Sequence, residues 1–260
     1  MPGHTLIAVP ILSADPPLDA QLRAAQAAGA DLVELRVDHI ANVPAVRVLL
    51  TQPRALPVIV TVRSAAEVGA WTGNEADRVA LLEKLAELRP DYIDIEYAAW
   101  RRFPHVQSAV RTTRLILSHH DLAGTPADLD LILDNLAATP AEVIKAVFTA
   151  RDATDACRVL AQLRGRAAHR PTIALAMGEA GLATRVLARK FGAFLTFASL
   201  HPEGQSAPGQ PTIGELRSRY RWDDLGPATR VCGVVGWPVT HSQSPAIHNA
   251  APLAYQMLNF

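Results

Sequence analysis

Eight short β-rich runs recur along this chain, each followed by a stretch of helical spacing rich in Ala, Leu, Arg and Glu, and no other feature restricts the fold as much. The runs are Leu6 to Leu12, Leu32 to Val37, Val58 to Val62, Tyr92 to Tyr97, Arg114 to His119, Val143 to Phe148, Thr172 to Met177 and Phe194 to Leu200. Short apolar runs of this kind are strand candidates. Helix starts are marked by Asn74 with Asp77, Thr125-Pro126 with Asp128, Asp152 with Asp155, and Thr212 with Glu215, while Gly29 reads as a stop. Strand then helix, eight times over roughly 215 residues, predicts an α/β chain folded as a (β/α)8 TIM barrel. The rival is an open doubly wound sheet. No Gly-x-Gly-x-x-Gly follows a strand to support it.

Charge and cysteine content narrow the function. Lys+Arg 25 balance Asp+Glu 25, and 49% of residues are hydrophobic, which argues against a disordered or nucleic-acid-coating chain. Cys157 and Cys232 are too few for a disulfide framework and have no metal-ligand spacing around them, so a reducing cytoplasm is expected. The N-terminus lacks a basic start followed by an apolar core, and no stretch approaches the roughly 18 apolar residues of a membrane span. A soluble protein with no membrane or nucleic-acid partner is the expectation.

Only Lys84, Lys145 and Lys190 are lysines. Lys84 reads as an exposed helix position, and Lys190, among Arg185, Arg189 and Phe191, as one on a similar helix. Lys145 interrupts the apolar run Val143-Ile144-Lys145-Ala146-Val147-Phe148, where an ammonium is costly to bury unless something uses it.

In a TIM barrel the chemistry sits at the carboxyl ends of the strands. There the chain places Glu34-Leu35-Arg36-Val37-Asp38, then Thr61-Val62-Arg63 with Glu67 in the following loop, then Asp94 and Glu96. Ser118-His119-His120-Asp121, Lys145, Met177 and the loop Ser206-Ala207-Pro208-Gly209-Gln210 follow. Singly, Asp38, Asp94 or Glu96 read as ion pairs sealing the barrel top, and Lys145 alone reads equally well that way. Converging on one mouth, they suggest chemistry. A lysine in an apolar strand beside Arg36 and Arg63 is expected to lose its proton easily. Its amine attacks a ketone, and the iminium acidifies the neighbouring C–H, so that a base can remove that proton and a β-hydroxyl leaves as water. His120 is the available acid and base, Glu67 is placed to orient its ring, and Arg63 and Arg185 offer forks for an anionic substrate.

These motifs, in this order, resemble type I 3-dehydroquinate dehydratase from about residue 5 to residue 220. The resemblance implies a Schiff-base lyase of the shikimate pathway that converts 3-dehydroquinate to 3-dehydroshikimate without a metal or organic cofactor. It places the Schiff base on Lys145, the general acid and base on His120 and its acidic partner on Glu67. Glu34 and Arg36 correspond to residues holding substrate hydroxyls, Arg63 and Arg185 to polar and carboxylate contacts, Met177 to an apolar wall, and Ser206 with Gln210 to a closing loop. His119 falls on a variable place in the wall. Leu122 stands where Phe is common, and Val68-Gly69 replaces a Gly pair. A homodimer is expected. The alternatives are a Schiff-base aldolase and a catalytically idle barrel that binds a carboxylated metabolite.

Beyond the barrel, assigned to 1–220, residues 221–229 read as a linker. Val231 to Trp237 and His241-Ser242-Gln243-Ser244-Pro245 resemble the opening of shikimate dehydrogenase, whose two serines correspond to Ser242 and Ser244. Residues 230–260 are thus expected to be an incomplete second domain without NADP-dependent activity, and His241 with His248 a poor metal site. The strand there should lack partners, so that residues from about 222 onward dock loosely and deletion after Tyr220 leaves stability nearly unchanged.

Overall fold

The computed structural model describes residues 4–234, 236, 238–239, 241–250 and the backbone of 255–259. Eight parallel strands lie in the order β7-β6-β5-β4-β3-β2-β1-β8. They are β1 Leu6–Ile11, β2 Leu32–Arg36, β3 Val58–Thr61, β4 Tyr92–Glu96, β5 Arg114–His120, β6 Val143–Thr149, β7 Thr172–Met177 and β8 Leu195–Phe197. The circle closes where the Phe194 N–H donates to the Thr172 carbonyl at 2.9 Å, joining β7 to β8. This is the expected TIM barrel, each predicted run holding one strand. Among the described residues no helix is long and apolar enough to cross a membrane.

Helices link the strands: α1 Leu18–Ala28, α2 Val43–Leu50, α3 Glu75–Ala86, α4 Tyr97–Arg102, α5 Val106–Ala109, α6 Leu129–Ala137, α7 Ala153–Arg166, α8 Leu182–Val186 and α9 Ile213–Ser218. Four of these nine, α2, α3, α7 and α9, start at a side-chain cap. Asn74 accepts from the Asp77 N–H, Asp152 from those of Thr154 and Asp155, and Thr212 with Glu215 forms a full capping box. Gly29, at φ 91°, takes the left-handed conformation that ends α1. The Thr125-Pro126 start is a correction. Thr125 Oγ1 instead donates to the Thr149 carbonyl at 3.1 Å, and α6 begins at Leu129 without a side-chain cap. Lys84 is exposed on α3, but Lys190 lies in turns beyond α8, where its Nζ donates to the Pro227 carbonyl.

Strand side chains alternate between the faces, and this period of two sorts the chain into two cores. Outward positions such as Val33, Val60, Ile93, Leu117 and Phe148 pack under the helices against Leu22, Leu49, Leu82 and Leu163. Each such buried side chain contributes about 1.5–3 kcal/mol by area. Inward positions near the amino ends form a second apolar plug of Leu32, Ile59, Tyr92, Ile116, Val143, Ile173 and Leu195. Two residues further along β2 to β6 the interior becomes polar, with Glu34, Thr61, Asp94, Ser118 and Lys145, all buried, while β7 and β8 stay apolar there with Leu175 and Phe197. The plug closes the barrel floor, so the polar layer opens only toward the carboxyl ends.

The expected linker needs amending at its start. Trp222 is 0% exposed and Leu225 4%, and both belong to the outer core, so a chain ending at Tyr220 would lose two buried side chains. The predicted orphan strand has a partner: β9 Arg230–Val234 pairs in parallel with β10 Tyr255–Asn259, and α10 Ser244–Ala250 lies between them in sequence. Val235 and Trp237, predicted to extend this strand, lie outside the described residues. Buried Asn249 donates to the Arg219 carbonyl at 3.0 Å, tying α10 to the barrel.

Candidate active site

The strand alternation aims Lys145 into the barrel, directly above the apolar plug. Its Nζ lies 2.9 Å from Asp94 Oδ2 and 3.5 Å from Glu34 Oε1, with the Phe197 ring centroid at 4.7 Å. The expectation of Arg36 and Arg63 as its neighbours is therefore corrected, because two carboxylates adjoin it first. Arg63 stands one step away. It donates to Asp94 Oδ1 at 2.8 Å and to Ser118 Oγ at 2.7 Å, and Ser118 in turn donates to Asp94 at 2.6 Å. Burial by itself would raise the Asp94 carboxyl, but Arg63 and Lys145 outweigh it and hold that group far below the usual carboxylate range. Asp94 and Glu96 are, as the simpler reading had it, buried ion-pair partners.

His120 ends β5 facing inward, two residues beyond Ser118. Glu67 Oε2 accepts both its backbone N–H at 3.0 Å and its Nδ1–H at 2.9 Å. With Nδ1 donating, Nε2 is the nitrogen left with a free lone pair. Burial, then the positive charges of Arg63 and Lys145, push the imidazole well below its ordinary value, so it is neutral. Burial pushes Glu67 up to about 7 despite Arg63 4.0 Å away. His119, one residue earlier, points to the other face of the sheet and is absent from the pocket lining, which corrects its assignment to the wall.

Glu67 is carried by a tight turn of residues 64–69. Gly69 packs so closely that a Cβ would fall 2.0 Å from the Arg63 carbonyl oxygen, so glycine is required there. Val68 sits at φ 67°, where a β-branched side chain is strained, and it lines the pocket mouth. Arg36 is committed sideways to Asp38 by bonds of 3.0 and 2.7 Å. Burial opposes ionisation of Asp38, yet Arg36 and the Ala70 N–H hold its carboxyl below the usual value.

Across the pocket the balance changes. Arg185, on α8, is 2% exposed, its guanidinium makes no hydrogen bond or ion pair among the described residues, and burial lowers it to about 10. Ser206 donates through its N–H and Oγ to Gln210 Oε1 at 2.9 and 3.0 Å, leaving the buried Gln210 Nε2 without a partner.

Glu34, Arg36, Arg63, Glu67, His120, Lys145, Met177, Arg185 and Ser206 all line one cleft of about 490 Å³, including its open mouth. Gln210 stays behind Ser206, outside the lining. The sequence reading missed Arg78, whose buried guanidinium on α3 reaches the Glu96 carboxylate at 2.6 Å. Its spacing to Leu82 and Leu85, on the apolar stripe of α3, was the available signal.

The geometry can be set beside known proteins. The family model described as Type I 3-dehydroquinase matches residues 7–227. The chain is 38% identical over 229 residues to the bifunctional 3-dehydroquinate dehydratase/shikimate dehydrogenase, chloroplastic, of Arabidopsis thaliana, a match covering 86% of this chain and 38% of that protein. It thus spans well under half of that relative. It is 35% identical over 208 residues to the 3-dehydroquinate dehydratase of Methanosarcina barkeri, covering 75% of this chain and 86% of that one. The crystal structure of 3-dehydroquinate dehydratase from Geobacillus kaustophilus superposes with a TM-score of 0.73 at 25% identity, covering 82% of this chain and 88% of that one. The chain belongs to the type I 3-dehydroquinase family.

Proposed function

We propose that this chain is a hydro-lyase, dehydrating 3-dehydroquinate to 3-dehydroshikimate through a Schiff base on Lys145. Family membership supports the reaction. The observation that carries the residue assignment is a buried lysine in one cleft with a neutral histidine held by a carboxylate. Lys145 Nζ adds to the substrate ketone, with Glu34 at 3.5 Å positioned to accept the proton that nitrogen gives up. Loss of water from the carbinolamine leaves an iminium, which draws electrons from the adjacent C–H. His120 Nε2 takes that proton, since Glu67 holds the ring by Nδ1. The imidazolium returns the proton to the departing β-hydroxyl, which leaves as water, and hydrolysis of the conjugated imine frees the product and Lys145. The unpaired Arg185 receives the substrate carboxylate, and Ser206 with Gln210 closes over it.

Borohydride reduction in the presence of 3-dehydroquinate should attach ligand mass to Lys145, and Lys145→Ala should abolish both labelling and turnover. Labelling at Lys84 or Lys190 would defeat the assignment. An aldolase would use the same lysine, but the His120–Glu67 pair and the Ser206 loop favour the dehydratase.

For the tail, we infer that residues 230–259 form the opening βαβ unit of a shikimate dehydrogenase-like domain. The parallel β9–β10 pair and the Ser242 and Ser244 motif support this reading. Expression with a complete partner domain and a test for NADP-dependent shikimate oxidation would examine it. A homodimer and a cytoplasmic location are further proposals, open to sedimentation and to fractionation.

A further inference from the structure

We infer that Arg78, which lies outside the pocket on α3, is a positioning residue that holds both halves of the active site in register. The inference rests on the dehydratase reading above. Arg78 is 1% exposed, and its guanidinium makes contacts in three directions. One nitrogen donates to the Val62 carbonyl, another to Glu96 Oε2 at 2.6 Å, and Nε donates to Glu75 at 2.8 Å. The other oxygen of Glu96 accepts the Ser64 N–H at 2.8 Å and faces Arg63 at 3.5 Å. The Arg78–Glu96 pair thus grips the backbone on both sides of Arg63, at the carbonyl before it and the amide after it.

Arg63 is the residue that the pocket can least afford to move. Through Asp94 and Ser118 its fork fixes the carboxylate that holds Lys145 Nζ. Through the turn that begins at Ser64 its backbone carries Glu67, and Glu67 holds His120. An unbroken chain of charges therefore runs from α3 to the reacting nitrogen: Glu75, Arg78, Glu96, Arg63, Asp94, Lys145. Taking the five buried members of this chain of six, all but Glu75, out of water is costly, and burial of ion pairs is weak evidence for stability. A planar fork with donors aimed in several directions also does what the single point charge of a lysine cannot.

The test is a double-mutant cycle on turnover of 3-dehydroquinate, run well below the melting temperature of every variant. Arg78→Met should lower kcat on the order of 10²-fold with KM changed by less than about threefold, the effect of misplacing catalytic groups by about 1 Å. Arg78→Lys should recover part of that loss. In a Glu67→Gln background the Arg78→Met step should cost less than about fivefold, because the two residues act through one element. If Arg78→Met strips Glu96 Oε2 of its partner and does not fold, Arg78→Met/Glu96→Gln removes both charges and takes its place, and Arg78→Lys carries the cycle otherwise. A folded Arg78 variant with wild-type kcat, or equal losses in both backgrounds, overturns the inference. Absence of turnover in the unsubstituted chain would instead overturn the dehydratase reading.

Discussion

The two walls of the pocket are built on opposite electrostatic plans. On the β2–β6 side every buried charge near the reacting lysine is matched, Lys145 by Asp94 and Glu34, Arg63 by Asp94 and Arg36 by Asp38, and the neutral His120 is held by Glu67. On the β7–β8 side, among the described residues, Arg185 is buried without a counter-charge and Gln210 Nε2 has no acceptor. A matched wall keeps its geometry before substrate arrives. An unmatched cation is unfavourable alone and is relieved by an anion, so its cost is recovered as affinity for a carboxylate. The comparison teaches that catalytic groups are pre-set by neighbours within the protein, whereas the carboxylate contact awaits the ligand.

The sharpest break would come on the matched wall. His120→Ala should cut turnover by about two to four orders of magnitude while leaving Lys145 able to form the imine, whereas His119→Ala should cost far less. Steady-state rates with borohydride trapping would check this, and equal losses at the two positions would show the pair misassigned. Next in size, Asp94→Asn should destabilise the folded chain by about 3–5 kcal/mol in denaturant unfolding, because it strips Lys145 and Arg63 of a buried partner. Arg185→Met should do the opposite. Stability should hold or rise, while KM increases by about ten- to a hundredfold, the value of a charge-assisted pair of about 1.5–3 kcal/mol. If both substitutions destabilised alike, the contrast between the walls would fail.

The smallest effect is in pH dependence. Burial pushes Glu67 up to about 7 in the folded chain, and only its ionised form offers a full negative charge to Nδ1–H and to the imidazolium formed in turnover. Lowering pH through 7 should therefore depress kcat, and Glu67→Gln should flatten that acid limb. The sign for stability is reversed. Between the ordinary carboxyl value of 4.5 and about 7 the folded chain binds this proton more tightly than the unfolded chain, so this group's contribution falls as pH rises across that window. An acid limb unchanged in Glu67→Gln would remove Glu67 from the proton relay.

Much of this was legible in the sequence because strand and helix periods are local properties. The eight strands followed from apolar runs, and the period of two brought Glu34, Arg36, His120 and Lys145 to the inside once the strands were parallel. Asn74, Asp152 and Thr212 signalled helix starts because a cap bonds within its own turn. Thr125 misled because its hydroxyl found a carbonyl on β6, a contact with no local signature.

The barrel, the family and the residues facing the mouth could be read from local pattern in the chain. Which charges meet could be read only from the closed barrel. Asp94 rather than Arg36 adjoins Lys145, Arg78 reaches the site from an outer helix, Trp222 completes the core from a stretch that reads as linker, and Arg185 remains unpaired. The physical reason is range. Periodicity and capping act over one turn or one pleat, but an ion pair or a buried indole depends on where distant segments lie once the strands have closed.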